Sequence, residues 1–426
     1  MKNVFVFPYG SEIALEIARA LLYDTHFHLI GGGSIKDHGR FVFSDRVENL
    51  PWESSPDFLP TIRQLVKDHN IDLIYPAMDS SILYLKKAES FLGCKVVGPD
   101  LPVTEICLSK RKTYELLADI VNTPQIYSIQ DQLEFPVFGK PEVGYGSRGC
   151  ERINSSKDLQ NYLKRTSDAL ICEYLPGEEY TVDCFSDRHG KLRFCGPRVR
   201  GRTMNGISVY THPVECTPEF REVAEAINRR IHFRGAWFFQ MKRNASNQLT
   251  LLEIAARFGG TSSLYRALGI NFPKLTLWDA LDSDISITEQ KYFVEMDRAL
   301  DNRFKMNIYY NEVFLDFDDT LWLNKSFYNP ILMHFLFQCK NRKISITLLS
   351  KHEGDLESLV AELNIAGLFD RIIQLSPSED KSRYIDNHQA IFIDDSFAER
   401  EKVRKDKKIP VFDLDMISAL IEERLP

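Results

Sequence analysis

Residues 235–263 read GAWFFQMKRNASNQLTLLEIAARFGGTSS. GAWFFQMKRN and LTLLEIAARFGGTSS are rich in aromatic and aliphatic side chains and flank the polar turn Asn244–Gln248. Runs of this kind read as strands, and so short a connection joins them as a hairpin. Paired in that way, Gln240 and Glu253 can lie on one face, because side chains alternate along each strand. An amide oxygen beside a carboxylate is a hard oxygen donor set of the kind Mg²⁺ accepts, with phosphate oxygens and water completing the octahedron. Arg257, four residues past Glu253, can reach a phosphoryl group in transfer.

The sequence before this hairpin points to the same chemistry. In FGKPEVGYGSRGC, residues 138–150, a β-like run delivers Lys140, and Gly144, Gly146 and Gly149 surround Ser147 and Arg148. Glycines let backbone N–H groups approach phosphate oxygens, and a lysine at a strand end adds a point charge. The order is not that of a P-loop, since the lysine precedes the glycines, and a plain β-hairpin tip is the other reading. LICEYLPGEEYTVDCFSD, residues 170–187, has a strand ending at Glu173-Tyr174-Leu175, a turn at Pro176-Gly177 and a second strand from Glu179. The basic segment Pro197–Arg202, followed by Met204-Asn205-Gly206, is either a clamp for an acidic acceptor or a solvated strand edge.

Toward the N-terminus, KNVFVF, a helix from Ile13 to Leu22, a strand at His26–Ile30, the turn Gly31–Ser34 and the strand IDLIYPAMD alternate as in a parallel, doubly wound sheet. Composition narrows the class. The 426 residues carry 53 Lys plus Arg against 60 Asp plus Glu, a formal charge of -7, which disfavours nucleic acid as a partner. No apolar run reaches the ~18 residues a membrane helix needs, and the N-terminus lacks a signal-peptide cleavage pattern. The eight cysteines show no CxxC spacing and read as reduced, buried thiols. A soluble, cytoplasmic, multidomain protein is expected.

Taken together, KRKTYELL, the glycine loop, EYLPGEEYTVD and LLEIAARFGG follow the order and spacing of the ATP-grasp superfamily. The chain resembles its carbamoyl phosphate synthetase large-subunit and carboxylate–amine ligase branch from residue 1 to about 295. The resemblance implies ATP as co-substrate, with Lys112 and Lys140 on its phosphates under the loop of Gly146 and Ser147. It places Glu173 and the backbone of Leu175 on adenine, Glu179 on ribose, and Gln240 and Glu253 on Mg²⁺. Arg257 would stabilise the acyl-phosphate transition state. One departure is Ala255: the family usually reads E-I-N-P-R where this chain has Glu253-Ile254-Ala255-Ala256-Arg257, and alanine cannot coordinate a metal.

After the polar stretch 296–307, which reads as a linker or connecting helix, VFLDFDDTLW opens a third region with renewed β/α alternation. Asp316 ends an apolar strand, with Asp318 two residues on and Thr320 after that. Ser350 ends ISITLLS, Lys381 follows, and Asp394-Asp395 close the strand AIFI. Clustered carboxylates beside apolar strands are costly unless a metal or chemistry uses them. These elements resemble the haloacid dehalogenase (HAD) superfamily over residues 308–426. By that resemblance Asp316 is the phosphoryl-accepting nucleophile and Asp318 the general acid/base, which favours a phosphohydrolase. Ser350 and Lys381 would hold phosphoryl oxygens, with Mg²⁺ between Asp316, the Asp318 carbonyl and Asp394 or Asp395. The short gaps leave room for at most a minimal cap.

The expected architecture is therefore a mixed α/β and α+β protein of three domains. These are a Rossmann-like domain (1–108), an ATP-grasp domain (109–300) and an HAD-like Rossmannoid domain (306–426). The expected function is a bifunctional enzyme, an ADP-forming carboxylate–amine ligase with a Mg²⁺-dependent phosphatase. An ATP-grasp kinase and a nucleotide-sensing module regulating the phosphatase are the alternatives. Small-molecule carboxylates and amines are the expected partners, without nucleic acid or membrane, and a homodimer is the default.

Overall fold

From Val4 onward the strand Lys2–Phe7 is fully buried, as an inner strand covered on both faces must be. It pairs in parallel with Phe27–Gly32 on one side and Leu73–Pro76 on the other. Asp45–Val47 and Lys95–Val96 form the edges. Numbered along the chain, the five strands lie in the order 3-2-1-4-5. The computed structural model describes all residues except 23, 129–130, 145, 205, 301–303, 305 and 423–426. Asn205 of the basic segment is thus outside the described residues.

The turn expected at Gly31–Ser34 begins later, because Gly31 and Gly32 belong to the strand. A Cβ on Gly31 would lie 2.6 Å from Cγ of Phe43, and one on Gly32 would lie 2.2 Å from Cζ of Phe5. These glycines make room for core aromatics rather than reversing the chain.

Two four-stranded antiparallel sheets follow. The first runs Ile126–Tyr127, Ala169–Glu173, Val137–Pro141, Glu151–Ile153. The second runs Leu192–Val199, Glu179–Ser186, Gly235–Arg243, Leu249–Ala255. Arg202–Met204, Ile207–Thr211 and Met296–Asp297 make a small third sheet. Part of the expected linker is therefore strand, and Arg298 N–H continues the pairing to the Val209 carbonyl at 2.7 Å.

By its packing the chain forms two compact units, Met1–Leu300 and Asp301–Pro426. The expected boundary near residue 108 does not separate cores: one apolar cluster joins Val4, Val6 and Val97 to Phe185, Phe258, Tyr265 and Ile270.

In the second unit, Glu312–Leu315 and Ala390–Ile393 are buried throughout. They lie side by side within a five-stranded parallel sheet, with Ser345–Ser350 and Arg371–Gln374 on one side and Val411–Phe412 on the other. Its chain-order arrangement is again 3-2-1-4-5. A hairpin of Trp322–Leu323 with Phe327–Tyr328 and the helix Pro330–Asn341 fill the first crossover. Among the described residues no helix is long and apolar enough to cross a membrane. All eight cysteines are free.

Candidate active sites

The second antiparallel sheet of the first unit has one apolar face, and its other face is polar toward one end and apolar at Phe185, Phe194 and Ala236. Val182, Cys184, Trp237, Phe239, Met241, Leu251 and Ile254 pack into a core. On the other face the register aligns Arg198, Thr181, Gln240 and Glu253 in one row across four strands. A bulge creates this row. Strict alternation in LTLLEIA would put Leu251 and Glu253 on the same face, but the pairing slips after Gln240, leaving Leu252 unpaired. Leu251 thereby reaches the core while Glu253 stands opposite Gln240 on the polar side.

The carbonyl of the bulged Leu252 accepts hydrogen bonds from the Tyr114 hydroxyl and, at 3.3 Å, from Lys140 Nζ. Lys140, on Val137–Pro141, is buried, and that burial pushes its ammonium below the usual lysine range, with Lys110 adding to the effect. Lys110 is the residue that KRKTYELL brings to this place. Its Nζ donates to the Gly144 carbonyl at 3.1 Å, whereas Lys112 is exposed on the other side of the helix Lys110–Leu117. Lys112, expected beside Lys140, does not join this cluster. The Ser109 side chain caps the helix by accepting from Lys112 N–H at 3.2 Å and donating to Glu142 at 2.6 Å.

In the loop that follows, Gly146, Ser147 and Gly149 have φ of +63°, +54° and +72°. Such a run of left-handed residues turns backbone groups in a way that suits glycine. Glu173 and Leu175 lie where the chain passes from one antiparallel sheet to the other, and Leu175 is buried. Glu179, on the polar face, pairs with Arg200 Nε at 2.6 Å and approaches Lys242 Nζ at 4.0 Å.

Arg257 grips Asp79 with two hydrogen bonds, of 2.9 and 2.7 Å. Asp79 opens the helix after Leu73–Pro76, so this contact joins the parallel sheet to the polar face. Beside it, Glu12 pairs with Arg298 at 3.0 Å. The sequence reading missed both residues, taking Arg298 for linker. The basic segment divides: Pro197–Val199 is buried strand, whereas Arg202–Met204 is the solvated strand edge that was one of its two readings. Arg198 is buried on Asp183 at 2.6 Å, Arg200 is held by Glu179, and Arg202 pairs with Asp297. Tyr210 donates to Glu295 at 2.7 Å, and His212 Nδ1 lies 3.2 Å from the Pro213 carbonyl.

In the second unit the site forms at the carboxyl ends of the first and fourth strands, where the strand order reverses. Lys381 Nζ lies between Asp316 and Asp394, at 2.7 and 2.6 Å. Burial pushes Asp316 above the usual carboxylate range, against the pull of Lys381 and a hydrogen bond with Ser350. Burial, with the charge of Asp316 adding to it, raises Asp394 to about 6 despite Lys381. Oxygens of Asp316, Asp394 and Asp395 lie within 4.8 Å of one another. An all-carboxylate set of this kind fits a hard cation such as Mg²⁺. Thr320 Oγ1 donates to Asp395 at 3.0 Å and accepts from its N–H at 3.1 Å. Asp318 has a partner that the sequence reading passed over: Nδ1 of His352 lies 2.9 and 3.0 Å from its two carboxylate oxygens.

The first unit thus combines a polar row across an antiparallel sheet, a glycine loop next to Lys110 and an adjoining parallel sheet. The family described as ATP-grasp in the biosynthetic pathway with Ter operon matches residues 165–304. D-alanine–D-alanine ligase of Thermotoga petrophila is 28% identical over 155 residues, covering 34% of this chain and 50% of the ligase. The chain thus spans about half the length of that relative. Carbamoyl-phosphate synthase of Methanobrevibacter smithii is 22% identical over 286 residues, 57% of this chain and 77% of the synthase. The structure of N5-carboxyaminoimidazole synthetase from Staphylococcus aureus complexed with ADP has a TM-score of 0.57 at 18% identity, covering 68% of this chain and 80% of that one. These likenesses support the ATP-grasp superfamily for this part of the chain.

Proposed function

We propose that the first unit is an ATP-dependent carboxylate–amine ligase and the second a phosphohydrolase of the HAD type. Residues 1–108 and 109–300 are read as the two parts of one packed unit, and 306–426 as the phosphohydrolase. The observation that carries the ligase is the convergence of Lys110 and Lys140 beside the glycine loop, with Gln240 and Glu253 paired on the adjoining polar face. The lysines and the loop of Gly146 and Ser147 bind the phosphates of ATP. Glu173 and Leu175 hold adenine, and Glu179 holds ribose. A substrate carboxylate oxygen attacks the γ-phosphorus, breaking its bond to the bridging oxygen and releasing ADP. The amine nitrogen then attacks the acyl carbon, loses a proton, and expels phosphate. Arg257, fixed by Asp79, neutralises charge on the phosphoryl group in flight. ATP-grasp enzymes use ATP and Mg²⁺. Gln240 and Glu253 would hold the ion here, where it supplies charge neutralisation at the phosphates.

In the second unit, Asp316 attacks the phosphorus of a phosphate ester while Asp318 gives its proton to the leaving oxygen. Water then attacks the aspartyl phosphate, returning a proton to Asp318 and freeing Asp316. Ser350 and Lys381 bind phosphoryl oxygens. Asp316, Asp394, Asp395 and the Asp318 carbonyl would hold Mg²⁺.

Ala255 favours a second reading. It lies next to Glu253 in sequence order on the polar face, where the resembled family carries an oxygen ligand, so the first unit would sense nucleotide without turning it over. The deciding experiment incubates the protein with Mg·ATP and pools of carboxylates and amines, following ADP, AMP and phosphate. ADP that requires both acceptors, lost in Lys140→Ala and kept in Asp316→Asn, supports the ligase. ADP formed without an amine, with a stable phosphorylated product, makes it a kinase. ATP binding with no turnover for any acceptor makes it a sensor, and AMP overturns the acyl-phosphate route.

A further inference from the structure

We propose that His352 is a positioning residue for the phosphohydrolase reaction, fixing the carboxyl group of Asp318 for proton exchange with the leaving oxygen. The proposal rests on the HAD reading of the second unit. Asp318 follows the nucleophile strand in a loop, and its side chain is about one-third exposed, at 33%. A short side chain so placed samples several rotamers unless something holds it. Among the described residues, His352 is the side chain bonded to its carboxylate. Nδ1 of the ring lies 2.9 and 3.0 Å from the two carboxyl oxygens, so one side chain fixes both.

His352 is itself held from two directions. Its ring packs edge-on against Phe317, with centroids 5.5 Å apart and planes at 86°. Its backbone carbonyl accepts from Gln374 Nε2 at 2.9 Å. Gln374 ends the strand Arg371–Gln374, and also bonds the Gly354 carbonyl at 2.6 Å and the Leu356 N–H at 3.1 Å. The segment 352–356 is thus tied to the sheet, and His352 transmits that rigidity to Asp318. A proton donor held in place counts most when the leaving oxygen is basic, because the breaking P–O bond then needs its proton in the transition state.

The test compares two phosphate esters, p-nitrophenyl phosphate with a weakly basic leaving oxygen and β-glycerophosphate with a strongly basic one. The full chain is assayed with Mg²⁺ as unmodified protein and as His352→Ala, His352→Asn and Asp316→Asn. Asparagine places an amide N–H near the Nδ1 position and serves as the conservative replacement. In His352→Ala, kcat on β-glycerophosphate is expected to fall about tenfold or more beyond any fall on p-nitrophenyl phosphate. His352→Asn is expected to recover most of that difference, with the unfolding temperature unchanged in both variants. Equal losses on both esters, or no recovery by asparagine in a folded variant, would overturn the positioning role alone. If the unmodified protein hydrolyses neither ester in a manner abolished by Asp316→Asn, the phosphohydrolase reading falls and takes the proposal with it.

Discussion

At the scale of single residues, helix phase decides which lysine can serve. Lys110, Thr113, Tyr114 and Leu117 are the buried positions of their helix, spaced i, i+3, i+4 and i+7, and Lys112 points away from them. Lys110→Ala is expected to raise the KM for ATP about tenfold or more, as loss of a charged phosphate contact does, while Lys112→Ala changes it little. Steady-state ADP formation against ATP concentration measures both. The same phase was legible in KRKTYELL, since Tyr114 and Leu117 mark its apolar side. That Gln240 and Glu253 share a face of the hairpin was legible, but the reason was not, because LTLLEIA gives no local sign of a bulge. Glu12, Arg298 and His352 were not legible either: each acts through a partner distant in sequence.

At the scale of elements, the glycine loop is shaped by its neighbour. Gly206, at the turn between Arg202–Met204 and Ile207–Thr211, has φ of +77°, and a Cβ there would lie 2.2 Å from the Gly146 carbonyl oxygen. Backbone cannot yield as a flexible side chain can. Gly206→Ala is therefore expected to displace the loop and weaken ATP binding about tenfold while the protein stays folded, measurable by calorimetric titration with Mg·ATP. The strands KNVFVF and VFL were plain in the sequence because inner parallel strands are uninterrupted apolar runs. Met296–Asp297 was not, since two residues carry no periodicity and the pairing with Ile207–Thr211 alone makes them a strand.

At the scale of the whole molecule, each of the two units has its own core and its own candidate site. Saturating Mg²⁺ is expected to stabilise the second unit by a few kcal/mol, as a ligand near a hundred times its Kd does, raising its unfolding temperature by several degrees. Asp394→Asn should abolish that rise, as followed by thermal unfolding with and without the ion. Both parallel sheets share the strand order 3-2-1-4-5, and this has a bearing on synthesis. The first strand, central in its sheet, emerges early, yet its neighbour on one side is the fourth strand, made long after. Until Leu73–Pro76 or Ala390–Ile393 arrives, an apolar edge stays open to other nascent chains. A ribosome stalled before residue 390 would thus release a product both without its carboxylate cluster and prone to aggregate.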